Sequence, residues 1–218
     1  MELKVLYEDN HLIAVFKPSG LLVQSDMTRD KCLMDYVKDY LRVKYIKQGN
    51  VYLGLLHRLD RPVSGIVLFA KTSKGASRLS EQIRNRLIQK RYTVLLDKAP
   101  KEPVQTLRHF MIKNAAKNKS WAYSEFRSDA KEAILDYKVV EIRDNGKCLV
   151  TVDLKTGRHH QIRAQFAAIG CPIVGDGKYG SRYICRSGGI CLCATSLTFK
   201  TATTDELVEL NVEPAFDL

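Results

Sequence analysis

The sequence predicts an α+β fold in which a mixed, mainly antiparallel sheet is flanked by helices, and three observations carry that prediction. Apolar and polar residues alternate over 135–142 and again over 148–154, on either side of Asp144-Asn145-Gly146, the pattern of two half-buried strands joined by a hairpin turn. Elsewhere apolar residues recur at helical spacing, at Leu33, Val37, Tyr40 or Leu41, and Tyr45 and again at Ala76, Leu79, Ile83 and Leu87. No repeat, low-complexity tract or Pro/Gly-rich linker interrupts the 218 residues, so residues 1–218 are expected to form a single domain with a substantial core.

In chain order, Val5-Leu6-Tyr7 and the 12–16 run read as two strands around Glu8-Asp9-Asn10, and Lys17-Pro18-Ser19-Gly20 ends the second. A helix is expected from near Asp30 and is closed by Gly49-Asn50. Runs 53–56 and 66–70 read as buried strands with the polar loop His57-Arg58-Leu59-Asp60-Arg61-Pro62-Val63-Ser64-Gly65 between them, the kind of place where chemistry concentrates. Thr72 or Ser73 can cap the second helix, whose Lys74, Arg78, Arg84 and Arg86 fall largely off its apolar face. Residues 92–96 form a strand ahead of the hairpin. A third helix is expected to start just after Gly157 and to end at Gly170, a left-handed cap with Pro172 blocking continuation. Residues 190–199 read as the final strand.

Charge narrows the partner. The chain carries 35 Lys and Arg against 24 Asp and Glu, a net +11, which favours a polyanion, nucleic acid before anionic membrane. Residues 71–119 hold 13 basic and 3 acidic side chains, while 205–218 hold five acids and no base. Met1-Glu2-Leu3-Lys4 opens no secretory signal, and the longest apolar runs fall far short of the ~20 residues of a membrane helix, so a cytoplasmic protein without membrane attachment is expected. Cysteines 32, 148, 171, 185, 191 and 193 are accordingly expected to be reduced. The 185, 191 and 193 group has no Cys-x-x-Cys pair and no His beyond His160, so it reads as alternating strand residues and not as a metal site.

Two segments could carry chemistry. Asp60 lies in a tight loop beside Arg58 and Arg61, where a neighbouring cation keeps a carboxylate ionised and available as nucleophile or base; a turn aspartate capping its own loop is the plainer alternative. Thr156-Gly157-Arg158-His159-His160-Gln161-Ile162-Arg163 packs polar residues where a strand runs into a helix, near the positive helix end, a place for phosphate or a catalytic carboxylate. Adjacent histidines on a helix diverge, so a metal shared by His159 and His160 is not expected. Gly175-Asp176-Gly177-Lys178-Tyr179-Gly180 matches a dinucleotide glycine pattern, but no strand-loop-helix unit surrounds it, and a Gly-rich turn is the better reading. A phosphate-loop Gly-Lys-Ser/Thr signature is absent, so no nucleotide cofactor is indicated.

The loop His57 to Gly65 closely resembles the catalytic loop of the RluA-type family of RNA pseudouridine synthases. Three further segments agree in order and approximate spacing: Lys17-Pro18-Ser19-Gly20, Lys90-Arg91-Tyr92, and Thr156 through Arg163 continuing to Pro172 and Gly180. The resemblance spans about residue 5 to residue 200. It implies the pseudouridine synthase fold with a central cleft, a single catalytic domain, and isomerisation of uridine to pseudouridine within structured RNA without cofactor or metal. By the same resemblance Asp60 is the catalytic carboxylate, Tyr92 packs against the flipped base and helps remove the proton from carbon 5, and Arg163 pairs with Asp60. Arg58, Arg61, Lys90, Arg91, Arg158, His160 and Gln161 would contact RNA, with Arg58 filling the space the base vacates.

Departures from the family pattern fall at Val63 and His159, where Thr is common, and at Gln165, Cys171 and Cys193, where His is common. They leave Asp60, Tyr92 and Arg163 in place and bear on which RNA is chosen, tRNA or rRNA. Lys17-Pro18 lies so near the start that the small RNA-binding domain many relatives carry is not expected, and the chain should act as a monomer supplying its own RNA contacts. The rival readings are a non-catalytic basic RNA-binding domain and a nucleoside hydrolase, which would need two carboxylates at the bond.

Overall fold

A strand that is buried at every position needs cover on both faces, and the segment Ser-Gly-Ile-Val-Leu-Phe-Ala at 64–70 organises the molecule for that reason. The computed structural model describes residues 2–26, 30–214 and 216. In chain order the elements are β1 Val5–Glu8, β2 Leu12–Lys17, α1 Leu33–Lys44, β3 Gly54–Leu55, β4 Ser64–Ala70, α2 Ser73–Arg84, β5 Gln89–Leu96, β6 Val104–Asn114, β7 Lys119–Tyr123, β8 Lys131–Ile142, β9 Cys148–Leu154, α3 Gln161–Ala168, β10 Leu192–Lys200 and β11 Leu207–Asn211. Their strands form one sheet in the order β1-β2-β4-β10-β5-β9-β8-β6-β7, with β11 added on β10 and β3 on β4. Among the described strands every pairing is antiparallel except β4 with β10.

Alternate residues of β2 and β4 feed two separate cores. Ile13, Val15, Val67 and Phe69 pack with Leu33, Val37 and Leu41 of α1 on one face. Leu12, Ala14, Ile66 and Leu68 pack with Leu79 of α2 on the other. Helix α3 joins the first face, placing Ile162 and Phe166 with Leu107, Leu135 and Tyr137. Thr72 caps α2 by accepting the Gly75 N–H, as its place before the helix predicts.

One row of residues crosses the middle of the sheet. Lys17 on β2 faces Gly65 on β4, Gly65 faces Ala194 on β10, Ala194 faces Tyr92 on β5, and Tyr92 faces Val152 on β9. Gly65 has φ +124°, and a Cβ there would lie 2.4 Å from both the backbone N and O of Ala194. The 57–65 loop therefore leaves through a residue that has to be glycine, directly into the strand that leads to Tyr92.

The antiparallel hairpin β8–β9, helices α1 and α2 and the strand pair β1–β2 lie in the segments where the sequence predicts them. Four features differ. Helix α3 begins at Gln161 and not just after Gly157, because His160 takes a left-handed conformation (φ 53°) that delays the first turn. The expected buried strand at 53–56 shortens to β3, with Leu55 exposed. Strands β6, β7 and β11 were not read from sequence. The basic stretch 71–119 does not make one surface: Lys71 is turned in to Glu8 at 2.6 Å, whereas Arg84, Arg86, Lys90 and Arg91 border a central cleft. No helix of the described residues is long and apolar enough to cross a membrane.

Gly65→Ala combines a left-handed backbone with a clash against Ala194, and is expected to lower stability by about 3 kcal/mol. A urea midpoint unchanged from wild type would contradict the close approach of β4 to β10.

Candidate active site

The 57–65 loop is held from beneath by the segment that ends β2. Lys17 is fully buried, and its Nζ donates to the carbonyls of Pro18 at 3.0 Å, Leu21 at 2.7 Å and Arg61 at 3.0 Å. Those three acceptors match the three N–H donors of an ammonium. Burial pushes the Lys17 pKa down to about 7, the Asp60 charge pulls it back up, and Arg61 pushes it down again. Ser19 Oγ donates to the Pro62 carbonyl at 2.8 Å, the Gly20 N–H to the Arg61 carbonyl at 2.9 Å, and Arg61 Nε returns a bond to the Gly20 carbonyl at 3.0 Å. His57 Nε2 accepts the Leu68 N–H at 3.0 Å, which requires a neutral ring; burial, then Lys90, push its pKa down to about 3. Two motifs 40 residues apart in sequence thus make one rigid turn.

Arg163 gathers the chemistry onto that turn. Its Nε and Nη2 donate to the two oxygens of Asp176 at 2.7 and 2.9 Å, and its Nη1 donates to Asp60 Oδ2 at 3.1 Å. Asp176 is 1 % exposed and Arg163 is 5 % exposed, whereas the Asp60 side chain is 28 % exposed toward the cleft. Burial disfavours the guanidinium, but Asp176 and then Asp60 more than offset it, so the Arg163 pKa rises. A bidentate carboxylate fixes the guanidinium plane and leaves Nη1 to position Asp60. The 3-10 turn Gly177–Tyr179 follows Asp176 at once, and the Tyr179 and Ser181 N–H groups donate to the Asp176 carbonyl.

His160 stands on the other side of the same carboxylate. Its Nε2 lies 3.6 Å from Asp60 Oδ2 and its Nδ1 is 3.0 Å from the Tyr179 hydroxyl, which accepts the Ser120 N–H at 2.9 Å. Burial, then Arg163 and His159, push its pKa down to about 2, so the ring is neutral. The left-handed backbone stacks His160 on His159 with centroids 3.8 Å apart, where a helix would have splayed them. His159 reaches outward to Ser120 Oγ at 2.8 Å and Asn118 Oδ1 at 3.1 Å, tying the β6–β7 hairpin to the site.

A cleft of about 1000 Å³ opens over these groups. Asp60, Tyr92 and Arg163 all line it, together with eight Arg and Lys side chains, Arg163 included, against two Asp. Tyr92 is 7 % exposed; burial, then the Asp60 charge, raise its pKa, so its hydroxyl is neutral. Of the other residues singled out by sequence, Arg58, Lys90, Arg91 and Arg158 border the cleft, with Arg91 Nε 2.8 Å from Asp153 and Arg158 Nε donating to the Glu132 carbonyl. Arg61 folds back on Gly20 and Asp30. His160 and Gln161 are buried in the wall, where Gln161 Oε1 accepts from Thr156 Oγ1 and the Arg158 N–H, and Nε2 donates to Ile134. Lys17, Asp176, Tyr179 and Ser120 were not among the site residues. The departures at Gln165, Cys171 and Cys193 are buried away from the cleft lining, which includes only Val63 and His159 of the five.

A family model described as RNA pseudouridylate synthase matches residues 11–168. Ribosomal large subunit pseudouridine synthase C of Rickettsia prowazekii is 32% identical over 184 residues, 83% of this chain and 57% of its own length. The uncharacterized RNA pseudouridine synthase YlyB of Bacillus subtilis is 30% identical over 214 residues, 96% of this chain and 68% of its own. The chain thus spans little more than half the length of several curated relatives it matches. Among solved structures, Human RNA Pseudouridylate Synthase Domain Containing 4 superposes with a TM-score of 0.79 at 21% identity, covering 97% of this chain and 88% of that one. Human RNA Pseudouridylate Synthase Domain Containing 1 gives 0.76 at 23% identity, with 97% and 83% covered. Both agree with the α+β fold.

His160 refuses a proton in the folded state that it accepts in the unfolded chain below about pH 6.5. The unfolded state then binds more protons, so this contribution to stability is intact above that pH and stability falls as pH drops through it. His160→Asn tolerates the left-handed backbone and removes the titration. Urea midpoints measured from pH 7 to pH 4 should fall less steeply in the variant; parallel profiles would show that His160 is not held neutral.

Proposed function

The chain belongs to the RNA pseudouridylate synthase family, and from that premise we propose that it isomerises uridine to pseudouridine within RNA with Asp60 as its catalytic carboxylate. The observation that carries the reading is the Arg163 bridge: one guanidinium, anchored on buried Asp176, donates to a carboxylate that faces an open cleft. The Asp60 carboxylate can attack the ribose carbon or assist departure of uracil. The freed uracil turns, carbon 5 bonds to the ribose, and the proton on carbon 5 leaves.

Tyr92 supplies a flat wall for the extracted base. Its raised pKa favours stacking over proton abstraction, because a neutral phenol is a weak base. Extraction of a base from folded RNA costs a few kcal/mol, and phosphate contacts from the basic cleft offset it. Arg58, Lys90, Arg91 and Arg158 are the side chains available for that, with Arg84 and Arg86 extending the basic rim. Several relatives are named for the large ribosomal subunit, which makes ribosomal RNA the favoured substrate, with tRNA the alternative. We take residues 1–218 as one catalytic domain working as a monomer in the cytoplasm. A nucleoside hydrolase would need a second carboxylate at the bond, and Asp176, the nearest in the constellation, is buried against Arg163.

Large-subunit rRNA and tRNA transcripts labelled with tritium at uracil carbon 5 test the proposal. Wild type is expected to release label from one of them without loss of base, and Asp60→Asn to release none above the enzyme-free blank. Release by Asp60→Asn equal to wild type would remove Asp60 from the chemistry, and binding without release from either RNA would leave the non-catalytic binder.

A further inference from the structure

Residues 182–190 form a surface loop in which only Cys185 and Ile190 are buried; Ile184 is 86 % exposed. The Gly188 N–H returns to the Cys185 carbonyl at 3.0 Å, and Gly188 and Gly189 both have positive φ, 83° and 70°. These turns bring the chain back so that Cys185 Sγ lies 2.6 Å from Cys191 Sγ. That is closer than two non-bonded sulfurs rest and approaches the bonded separation of about 2.0 Å. Cys191 is itself fixed by two backbone bonds, its N–H to the Val174 carbonyl at 2.8 Å and its carbonyl from the Leu95 N–H at 3.0 Å. The pair is buried with Leu95, Val174 and Cys193 in a small core of its own.

This loop backs the catalytic turn. The Ile190 N–H donates to the Pro62 carbonyl at 3.3 Å, and a Cβ on Gly189 would fall 2.6 Å from the same oxygen and 1.9 Å from Ser19 Oγ. On its other side the loop presses on the turn that carries Asp176: a Cβ on Gly175 would lie 2.6 Å from the Gly189 carbonyl oxygen and 2.8 Å from Cys185 Cβ. Closure of the loop is thus in contact with both supports of the Asp60 constellation, the Ser19–Pro62 contact and the Gly175–Asp176 turn.

We propose that Cys185 and Cys191 are a reversible oxidation site, joined to a disulfide by hydrogen peroxide so that the 185–191 loop is covalently closed behind the catalytic turn. One thiol attacks the peroxide oxygen and becomes a sulfenic acid with loss of one water. The second thiol then attacks that sulfur, the S–S bond forms and a second water leaves, with the two electrons taken up by the peroxide. A dithiol reductant restores both thiols. Of the remaining four cysteines, Cys32 precedes α1, Cys148 and Cys171 share the first core, and Cys193 lies in the same core as the pair; the short Sγ–Sγ contact singles out 185 with 191.

The test needs no assumption about catalysis. Reduced wild-type protein is treated in the folded state with hydrogen peroxide, quenched, unfolded and titrated for thiols; the count is expected to fall from six to four and to return with dithiothreitol. Trypsin cuts after Arg186, so peptides 183–186 and 187–200 should stay joined until reduced. Because 187–200 also holds Cys193, the joined peptides should persist in Cys193→Ser and vanish in Cys191→Ser. Six titratable thiols in the oxidised wild type, or joined peptides surviving in Cys191→Ser, would overturn the proposal, and the wild-type count decides even if a variant fails to fold.

Discussion

The arrangement of the site depends on a guanidinium held in the interior. Arg163 is nearly inaccessible and makes three charge-assisted hydrogen bonds, two of them to a carboxylate that is more deeply buried still. A buried ion pair gains little net stability, since desolvation offsets much of the attraction, but breaking one leaves an uncompensated charge that is strongly destabilising. Orientation is what such a pair supplies. With Asp176 occupying one edge of the guanidinium, an Nη1 N–H points at Asp60, and His160 closes the other side as a neutral ring.

The sheet is arranged to deliver these groups to one place. The row from Lys17 through Gly65 and Ala194 to Tyr92 spans four adjacent strands, so the clamp under the catalytic turn, the exit of that turn and the aromatic wall share one register. The parallel pairing of β4 with β10 joins the half of the sheet that carries Asp60 to the half that carries Tyr92 and leads to Arg163. The basic side chains divide between structural and cleft positions: Lys17 and Lys71 are spent inside the fold, and eight basic residues including Arg163 border the cleft, where a polyanion would meet them.

Local patterns were legible in sequence and long-range pairings were not. The β8–β9 hairpin shows clean alternation and an Asn-Gly turn, and the 57–65 loop stands out between apolar runs. The Arg163–Asp60 contact was anticipated through family resemblance, and the structure places those atoms 3.1 Å apart. Asp176 escaped because its partner is 13 residues away across a turn that reads as merely glycine-rich. Lys17 looked like the end of a strand; that its ammonium is buried under the turn depends on a contact 44 residues away. Strand β6 was hidden because its inward face is Leu107, His109 and Met111, an alternation interrupted by a histidine, and β11 because its five residues put apolar Leu207 on the exposed side together with Glu209 and Asn211. His160 was read as helical, and the left-handed backbone that stacks it on His159 has no marker in the local sequence.

If Asp176 acts only by aiming Arg163, its contribution to turnover must vanish once Arg163 is gone. A double-mutant cycle of Asp176→Asn and Arg163→Met, read as kcat for tritium release and alongside as urea stability, tests this most directly. The account predicts that each single variant loses turnover, that the double variant turns over no more slowly than Arg163→Met alone, and that its stability recovers relative to Arg163→Met because the deeply buried Asp176 charge is no longer left unpaired. Losses in kcat that multiply in the double variant would contradict it, since Asp176 would then act on the reaction by a route that does not pass through Arg163.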